Sequence, residues 1–360
     1  MEPKIYQWPL YAKLSIITTG LISLFFILYV GKGIVVPIVF ATIIAILLNP
    51  MVEFLIKYKI SRLMAIVLTV SVGFIITAIL AYFILSQAAM LSESLPQFKE
   101  KFSLMLSDCI GWIAEHLNIP KSKIYQWLDT TEMDIINNGS AIIGTSLIAI
   151  GGVLVLLLVI PVYVFMVLFY KPLLLEFVFQ LFKKEENGIL DEVLVETKTL
   201  IQSYLIGLLI EAVLVAILNS VGLLFLGIEY AVFIGIVGAL LNIIPYIGGI
   251  IAVGIPMLMA LASQQPLDAI WVLGLYGVVQ FIDNNIIVPR IVASKVRVNA
   301  LVSIIVVLIG GALWDIAGMF LALPVTAIIK VICDRIEPLK PFGFLIGDNK
   351  PEMGEIISIE

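Results

Sequence analysis

The sequence predicts an all-α polytopic membrane protein, with about six to eight spanning helices and two interrupted segments that form re-entrant hairpins. Three observations support this prediction. Of the 360 residues, 61% are hydrophobic and only 13% are charged, whereas a soluble domain carries about 25% charged residues. The mean hydropathy is +1.14. Apolar runs long enough to cross a bilayer recur along the whole chain.

Charge, cysteine and motif content argue against several other classes of protein. The net charge is −5 without a basic face, so we expect no binding of nucleic acid. Cys109 and Cys333 lie far apart in different kinds of segment, so we expect no disulfide framework. His116 is the only histidine and has no second histidine or cysteine pair nearby, so we expect no metal site. P-loop, HExxH, GxSxG and dinucleotide-binding motifs are lacking, so we expect neither an enzyme nor a cofactor.

The spans follow one another along the chain. The first apolar run, Leu10–Val30, is long enough to cross a bilayer and lacks a cleavage site, so it predicts a retained span. Residues 34–48 form a shorter run that ends at Asn49 and Pro50, where we expect the helix to stop. The other uninterrupted spans are residues 63–85, 142–170, 204–226 and 267–282.

Polar sections divide the chain into six parts. Apolar positions in residues 87–141 recur at helical spacing, which predicts short amphipathic helices on the external bilayer surface. Residues 171–203 predict a cytoplasmic surface helix that leads into the next span. The six parts are the N-terminal membrane helices (1–86), the external section (87–141), one membrane helix (142–170), the surface helix (171–203), a C-terminal core with both interrupted segments (204–335) and a cytoplasmic tail (336–360).

The distribution of lysine and arginine predicts the orientation in the inner membrane. The loop after the second span contains Lys57, Lys59 and Arg62, so we expect it in the cytoplasm. Two crossings precede it, so the amino terminus is expected there too. Residues 283–299 contain three basic residues and are also expected inside, as is the carboxy terminus.

This orientation requires the two interrupted segments to cross the membrane an even number of times. They are residues 231–262, with the tip NIIPYIGG, and residues 300–332, with the break GGALWDIAG. Their arms reach only roughly half of the bilayer core, which predicts re-entrant hairpins. The alternative is one long tilted helix with a kink in each segment. Broken backbone at membrane depth must be buried in protein or line a wet cavity. Both breaks therefore supply candidate site residues, namely Asn242, Pro245, Gly248, Gly249, Gly310 and Gly311.

A polar stripe follows in QFIDNNIIVPRIVASK. Tyr276, Gln280, Asp283 and Asn284 recur at helical spacing and are expected on one helical face. Such a stripe usually faces protein or water, which predicts the wall of a wet pathway. The alternative is that Asp283 and the asparagines cap the helix end and hold the loop. The remaining candidate pathway residues are Asn285, Pro289 and Arg290.

Glu211 interrupts the apolar span YLIGLLIEAVLVAILNS. Function is the default hypothesis for a carboxylate inside a membrane. Glu211 and Asp283 are therefore candidates for carrying a coupling proton or ion. The alternative for Glu211 is a protonated, hydrogen-bonded structural group. In the second break, Asp315 is expected as a local cap and Trp314 as an interface aromatic.

Three stretches resemble the autoinducer-2 exporter (AI-2E) family: LLNIIPYIGGIIAVGIP, QFIDNNIIVPRIVASK and NALVSIIVVLIGGALWDIAGMFLALPVTAIIKVI. The resemblance covers residues 14–332 and is most specific from residue 204 onward. It implies a homo-oligomeric permease, a pentamer. Members of the family export the quorum-sensing furanone, exchange sodium or lithium for protons, or have no assigned cargo. Asn284, Pro289 and Arg290 match the family pattern, but Val288 stands where many members have an acid. An acidic role of this loop therefore does not carry over.

The expected function is export of a small polar metabolite similar to autoinducer-2 by alternating access. One alternative is a sodium or lithium/proton antiporter, which Glu211 and Asp283 favour. Another is a membrane scaffold without cargo, with residues 87–141 as its partner surface. Transport predicts that polar groups converge around the hairpin tips, whereas a scaffold predicts dry tips. The expected partners are the lipid bilayer and the small-molecule or cation cargo.

Overall fold

The computed structural model describes residues 9–117, 120, 158–182, 187–244, 248–261, 268–292 and 298–349. These residues are almost entirely helical. Their α-helices are α1 (Leu10–Val30), α2 (Lys32–Lys57), α3 (Arg62–Leu117), α4 (Leu158–Leu181), α5 (Asn187–Phe225), α6 (Ala231–Asn242), α7 (Gly248–Leu261), α8 (Asp268–Ile282), α9 (Ala300–Arg335) and α10 (Lys340–Ile346). A π-helix, Asp283–Val292, extends α8 directly. Within these ranges, seven helices are long and apolar enough to cross a membrane. The predicted class, an all-α polytopic membrane protein, is confirmed.

The outer surface of the helices is apolar. α1 begins and ends where the first span was predicted. Its side chains Ile16, Ile22 and Phe26 are 60%, 65% and 65% exposed. Continuous apolar surface of this kind is not stable in water, so lipid covers these faces.

The predicted helix stop at Asn49 and Pro50 is wrong, because α2 continues through both residues. A proline inside a helix lacks the N–H that would bond the carbonyl four residues earlier. Here that carbonyl belongs to Ile46, and the side-chain amide of Gln202 on α5 donates a 2.7 Å hydrogen bond to it. The neighbouring helix thus replaces the missing donor, and α2 passes the proline without ending.

Three predicted boundaries, at residues 86/87, 170/171 and 203/204, fall inside continuous helices. α3 has 56 residues, and at 1.5 Å per residue it is about 84 Å long, far more than a bilayer core. It continues unbroken from the predicted third span to Leu117. The prediction of separate short surface helices is therefore wrong for residues 87–117. The rest of the external section lies outside the described residues, except residue 120. The predicted surface helix of residues 171–203 is likewise split between α4 and α5.

The first interrupted segment is a hairpin of α6 and α7. The arms pack closely, because a Cβ added to Gly238 would lie 3.5 Å from the Cβ of Ala252. At the turn, a Cβ on Gly248 would lie 1.8 Å from the carbonyl oxygen of Leu241, so a side chain does not fit there. The segment therefore forms two antiparallel arms, and the alternative of one long kinked helix is wrong. Pro245 lies outside the described residues.

The second interrupted segment also turns back on itself. Trp314 and Asp315 leave helical geometry, and Asp315 has φ 54° and ψ −139°. A Cβ added to Gly318 would lie 1.9 Å from the carbonyl oxygen of Gly310, although residues eight apart in a straight helix are about 12 Å apart. α9 therefore consists of two arms, residues 300–313 and 316–335. The second arm is about 30 Å long, so the expectation that it reaches only half of the bilayer core is wrong.

The tip of this second hairpin is attached to the connection between α1 and α2. The indole Nε1 of Trp314 donates a 2.9 Å hydrogen bond to the carbonyl oxygen of Leu28. Lys32 forms a 3.0 Å ion pair with Asp315. These contacts explain how Asp315 is held in the left-handed region that favours glycine. Trp314 thus has a specific partner, beyond its expected interface role.

α5 lies at the centre of the helix bundle. Its residues Ile201, Tyr204 and Leu205 belong to a buried apolar cluster that includes Ile43 of α2 and Leu321 of α9. Further along, α5 packs against α6, α8 and the π-helix in a second cluster, made by Val215, Ala239, Val279 and Ile287. Polar residues on this part of α5 are therefore enclosed by the hairpin and by α8.

Candidate functional site

One face of α5 carries two buried polar side chains. Glu211, Val215 and Asn219 are spaced by four residues and are 6%, 3% and 2% exposed. Glu211 was expected as a candidate, but Asn219 was missed. The sequence pattern that could have indicated Asn219 is its spacing of two helical turns from Glu211, which places both residues on the same face.

The polar stripe of α8 faces the same region. Tyr276 and Asp283 are 4% and 2% exposed, and Gln280 between them is partly buried. The shared face of these three residues is confirmed. Asn284 is exposed, so its expected place on that face is wrong. The helix changes to i→i+5 hydrogen bonding at Asp283, which alters the register that ideal α-helical spacing assumes.

The tip of the first hairpin completes the site. The side-chain amide of Asn242, at the end of α6, donates a 2.8 Å hydrogen bond to Oδ2 of Asp283. Gly249, in the first turn of α7, lies directly against α8, because an added Cβ there would be 2.8 Å from Oε1 of Gln280. The tip and the polar stripe, predicted separately, are therefore in contact.

We call these side chains the polar cluster: Glu211, Asn219, Asn242, Tyr276, Gln280 and Asp283. All except Glu211 line a cavity of about 10 Å³ together with apolar and glycine residues of α5 to α8. Glu211 lies one turn from Val215, which also lines the cavity, and interacts electrostatically with Asp283. Two carboxyl groups, three amides and a phenol thus converge at the first hairpin, inside a bundle whose outer surface is apolar.

The other candidate residues lie outside this cluster. Asn285, Pro289 and Arg290 are exposed on the π-helix, and Asn285 donates a 2.8 Å hydrogen bond to the carbonyl oxygen of Phe281. Gly310 and Gly311 lie at the crossing of the two α9 arms, where an added Cβ on Gly311 would be 2.6 Å from Cε of Met319. The second break therefore has a packing role in this conformation, while the first break meets the polar stripe.

Spanning helices with an apolar outer surface, arranged around buried polar groups at a broken hairpin, define a multi-pass membrane transporter. The family model described as AI-2E family transporter matches residues 18–337. The chain belongs to this family.

Curated relatives agree with this assignment over most of their length. AI-2 transport protein TqsA of Escherichia coli (strain K12) is 23% identical over 324 residues, which cover 89% of this chain and 91% of TqsA. YueF of Bacillus subtilis (strain 168), provisionally named a transport protein, is 27% identical over 310 residues and 82% of each chain. YhhT of Escherichia coli (strain K12), also provisionally named a transport protein, is 24% identical over 344 residues, covering 95% of this chain and 94% of YhhT.

Proposed function

We propose that the protein is a secondary transporter that exports a small polar metabolite similar to autoinducer-2 across the inner membrane by alternating access. The convergence of the polar cluster on the first hairpin tip supports this proposal most directly. A scaffold without cargo predicts dry, apolar packing at that tip. Burial of two carboxyl groups costs free energy. A tip with only a structural role avoids this cost through apolar packing.

The cluster is the proposed coupling site. Glu211 and Asp283 carry the exchangeable proton, and Asn242 holds the Asp283 carboxyl group in place. The cavity of about 10 Å³ has room for roughly one water molecule, which is far too little for a furanone. Cargo entry therefore requires the first hairpin to move away from α8, and the bond between Asn242 and Asp283 ties that movement to the coupling residues.

Exchange of sodium or lithium for protons is the second candidate. Two neighbouring carboxyl groups lined by amide oxygens favour it, because these are the ligand types that hard cations prefer. In either case we propose that both termini and the π-helix face the cytoplasm, as the basic residues indicate, and that the protein acts as a homo-oligomer.

Reconstitution into proteoliposomes tests the proposal. Vesicles with an internal pH dye receive the furanone autoinducer-2, sodium or lithium in parallel, and radiolabelled furanone reports cargo flux. The proposal predicts furanone flux coupled to protons, abolished in Asp283→Asn and retained in the exposed control Asn284→Ala. Proton flux with sodium or lithium, and none with furanone, selects the antiporter. Absence of flux with all three probes, in correctly inserted protein, contradicts both transport candidates.

A further inference from the structure

Three atoms of the polar cluster have no hydrogen-bond partner among the described residues. They are Oδ1 of Asp283, Oδ1 of Asn219 and the hydroxyl of Tyr276. Their residues are 2%, 2% and 4% exposed. Buried polar atoms nearly always have a partner, because an unpaired one costs about 1–3 kcal/mol. Three such atoms at one place require a common explanation.

The three residues line the same small cavity. Its volume is about 10 Å³, close to the smallest space that holds one water molecule. Tyr276 and Asn219 both lie next to Gly238, since a Cβ added there would lie 3.3 Å from the Tyr276 hydroxyl and 3.6 Å from Nδ2 of Asn219. The absence of a side chain on Gly238 keeps this space open.

The three atoms also have the hydrogen-bonding character that one water molecule complements. Oδ1 of Asp283 and Oδ1 of Asn219 accept hydrogen bonds, and the Tyr276 hydroxyl has a proton to donate. A water molecule has two protons to donate and accepts through its oxygen. It therefore satisfies all three atoms with three hydrogen bonds, which is the usual number for a buried water.

We propose that a single internal water molecule is bound by Asp283, Asn219 and Tyr276 and links α5 to α8 at the first hairpin tip. A monovalent cation at this position leaves the Tyr276 hydroxyl proton without an acceptor, so exchange of sodium or lithium requires these side chains to rearrange first. The water site stands on geometry alone and does not depend on transport activity. If the proposed function also holds, this water lies beside Asp283 in the cavity that the first hairpin covers.

Hydroxyl-radical footprinting by X-ray radiolysis tests the site without any transport assay. A bound water generates radicals in place and oxidises the side chain beside it, even when that side chain is buried. The expected result is oxidation of Tyr276 in the detergent-solubilised full-length protein. Tyr204 is the matched control, because it is 3% exposed and is not among the residues that line the cavity. Gly238→Ala fills the space and should reduce oxidation of Tyr276 at least several-fold. Equal protection of Tyr276 and Tyr204 in the unsubstituted protein overturns the proposal.

Thermal stability gives a second test. With the water bound, Tyr276→Phe deletes one of its three hydrogen bonds and should lower Tm. Without it, the same change removes an unpaired buried hydroxyl and should raise Tm. Thr69→Val is the control, since the Thr69 hydroxyl on α3 is also buried and has no partner in the described part of the chain, but lies outside the cluster. A Tm increase in both variants contradicts the water site, whereas a decrease in Tyr276→Phe alone supports it.

Discussion

Nδ2 of Asn242 and Oδ2 of Asp283 are joined by a 2.8 Å hydrogen bond. Asn242 ends the first arm of the first hairpin, and Asp283 is the residue at which α8 becomes a π-helix. Breaks in regular helix geometry are frequent at functional sites. Here two such breaks meet through one buried side-chain contact, so displacement of the hairpin changes the surroundings of the carboxylate.

Asn242→Ala should destabilise the protein, because it removes the only protein partner that the described residues give to either oxygen of Asp283. We expect the free energy of unfolding to fall by about 1–3 kcal/mol, the cost of leaving a buried acceptor unpaired. Denaturant titration of the purified protein in detergent measures it. Asn284→Ala, next to Asp283 but exposed, is the control and should have little effect. An Asn242→Ala variant as stable as that control would show that the contact contributes nothing.

Gln202→Leu should destabilise α2 through Pro50. The Gln202 side chain supplies the hydrogen bond to the Ile46 carbonyl that a proline cannot make. We expect a loss of about 1–3 kcal/mol in the free energy of unfolding.

The double-mutant cycle with Pro50→Ala identifies the cause. Pro50→Ala restores a backbone N–H that can bond Ile46, so the cost of Gln202→Leu should become smaller in that background. Equal costs with and without the proline would mean that Gln202 acts through packing only.

Gly318→Ala should disrupt the second hairpin. An added Cβ would lie 1.9 Å from the carbonyl oxygen of Gly310, so the two α9 arms must separate at a cost of about 1–3 kcal/mol or more. Gly274→Ala on α8 is the matched control, because nothing lies within 4 Å of an added Cβ there. That change should stabilise its helix by about 0.5–1 kcal/mol. Opposite signs of the two Tm shifts support the hairpin, and equal shifts would contradict it.

The orientation predicts that Lys295 faces the cytoplasm. A single cysteine introduced by Lys295→Cys, with Cys109 and Cys333 replaced by alanine, should react with a membrane-impermeant maleimide only after the membrane is opened. Lys57→Cys, at the carboxy-terminal end of α2, should behave in the same way. Labelling of Lys295→Cys in intact cells would reverse the predicted topology of the carboxy-terminal half.

The elements that follow from local chemistry are those that the sequence predicts well. Continuous apolar length locates α1, and helical spacing brings Tyr276, Gln280 and Asp283 to one face. Glycine-rich interruptions mark both hairpins. The Lys and Arg counts also led to the hairpins, through an orientation that stays a prediction.

Elements that depend on a distant partner are those that sequence patterns miss. The continuation of α2 past Pro50 depends on Gln202, which is 156 positions away from Ile46. The exposure of Asn284 follows from the π-helix, which local spacing does not reveal. Asn219 was missed because a single amide in an apolar run has meaning only once α6, α7 and α8 enclose it. Likewise, only the fold distinguishes the polar first hairpin tip from the packed crossing at Gly310 and Gly318.

The central claim is that the polar cluster couples proton movement to transport, and Glu211→Gln in proteoliposomes tests it most directly. A carboxyl group binds and releases a proton, whereas the amide has the shape of the neutral acid but cannot titrate. Glu229→Gln, an exposed carboxylate in the turn after α5, is the matched control. The account predicts that Glu211→Gln abolishes furanone flux driven by a pH gradient but retains counterflow of labelled furanone, while Glu229→Gln retains both. Normal pH-driven flux in Glu211→Gln would contradict the coupling role of Glu211.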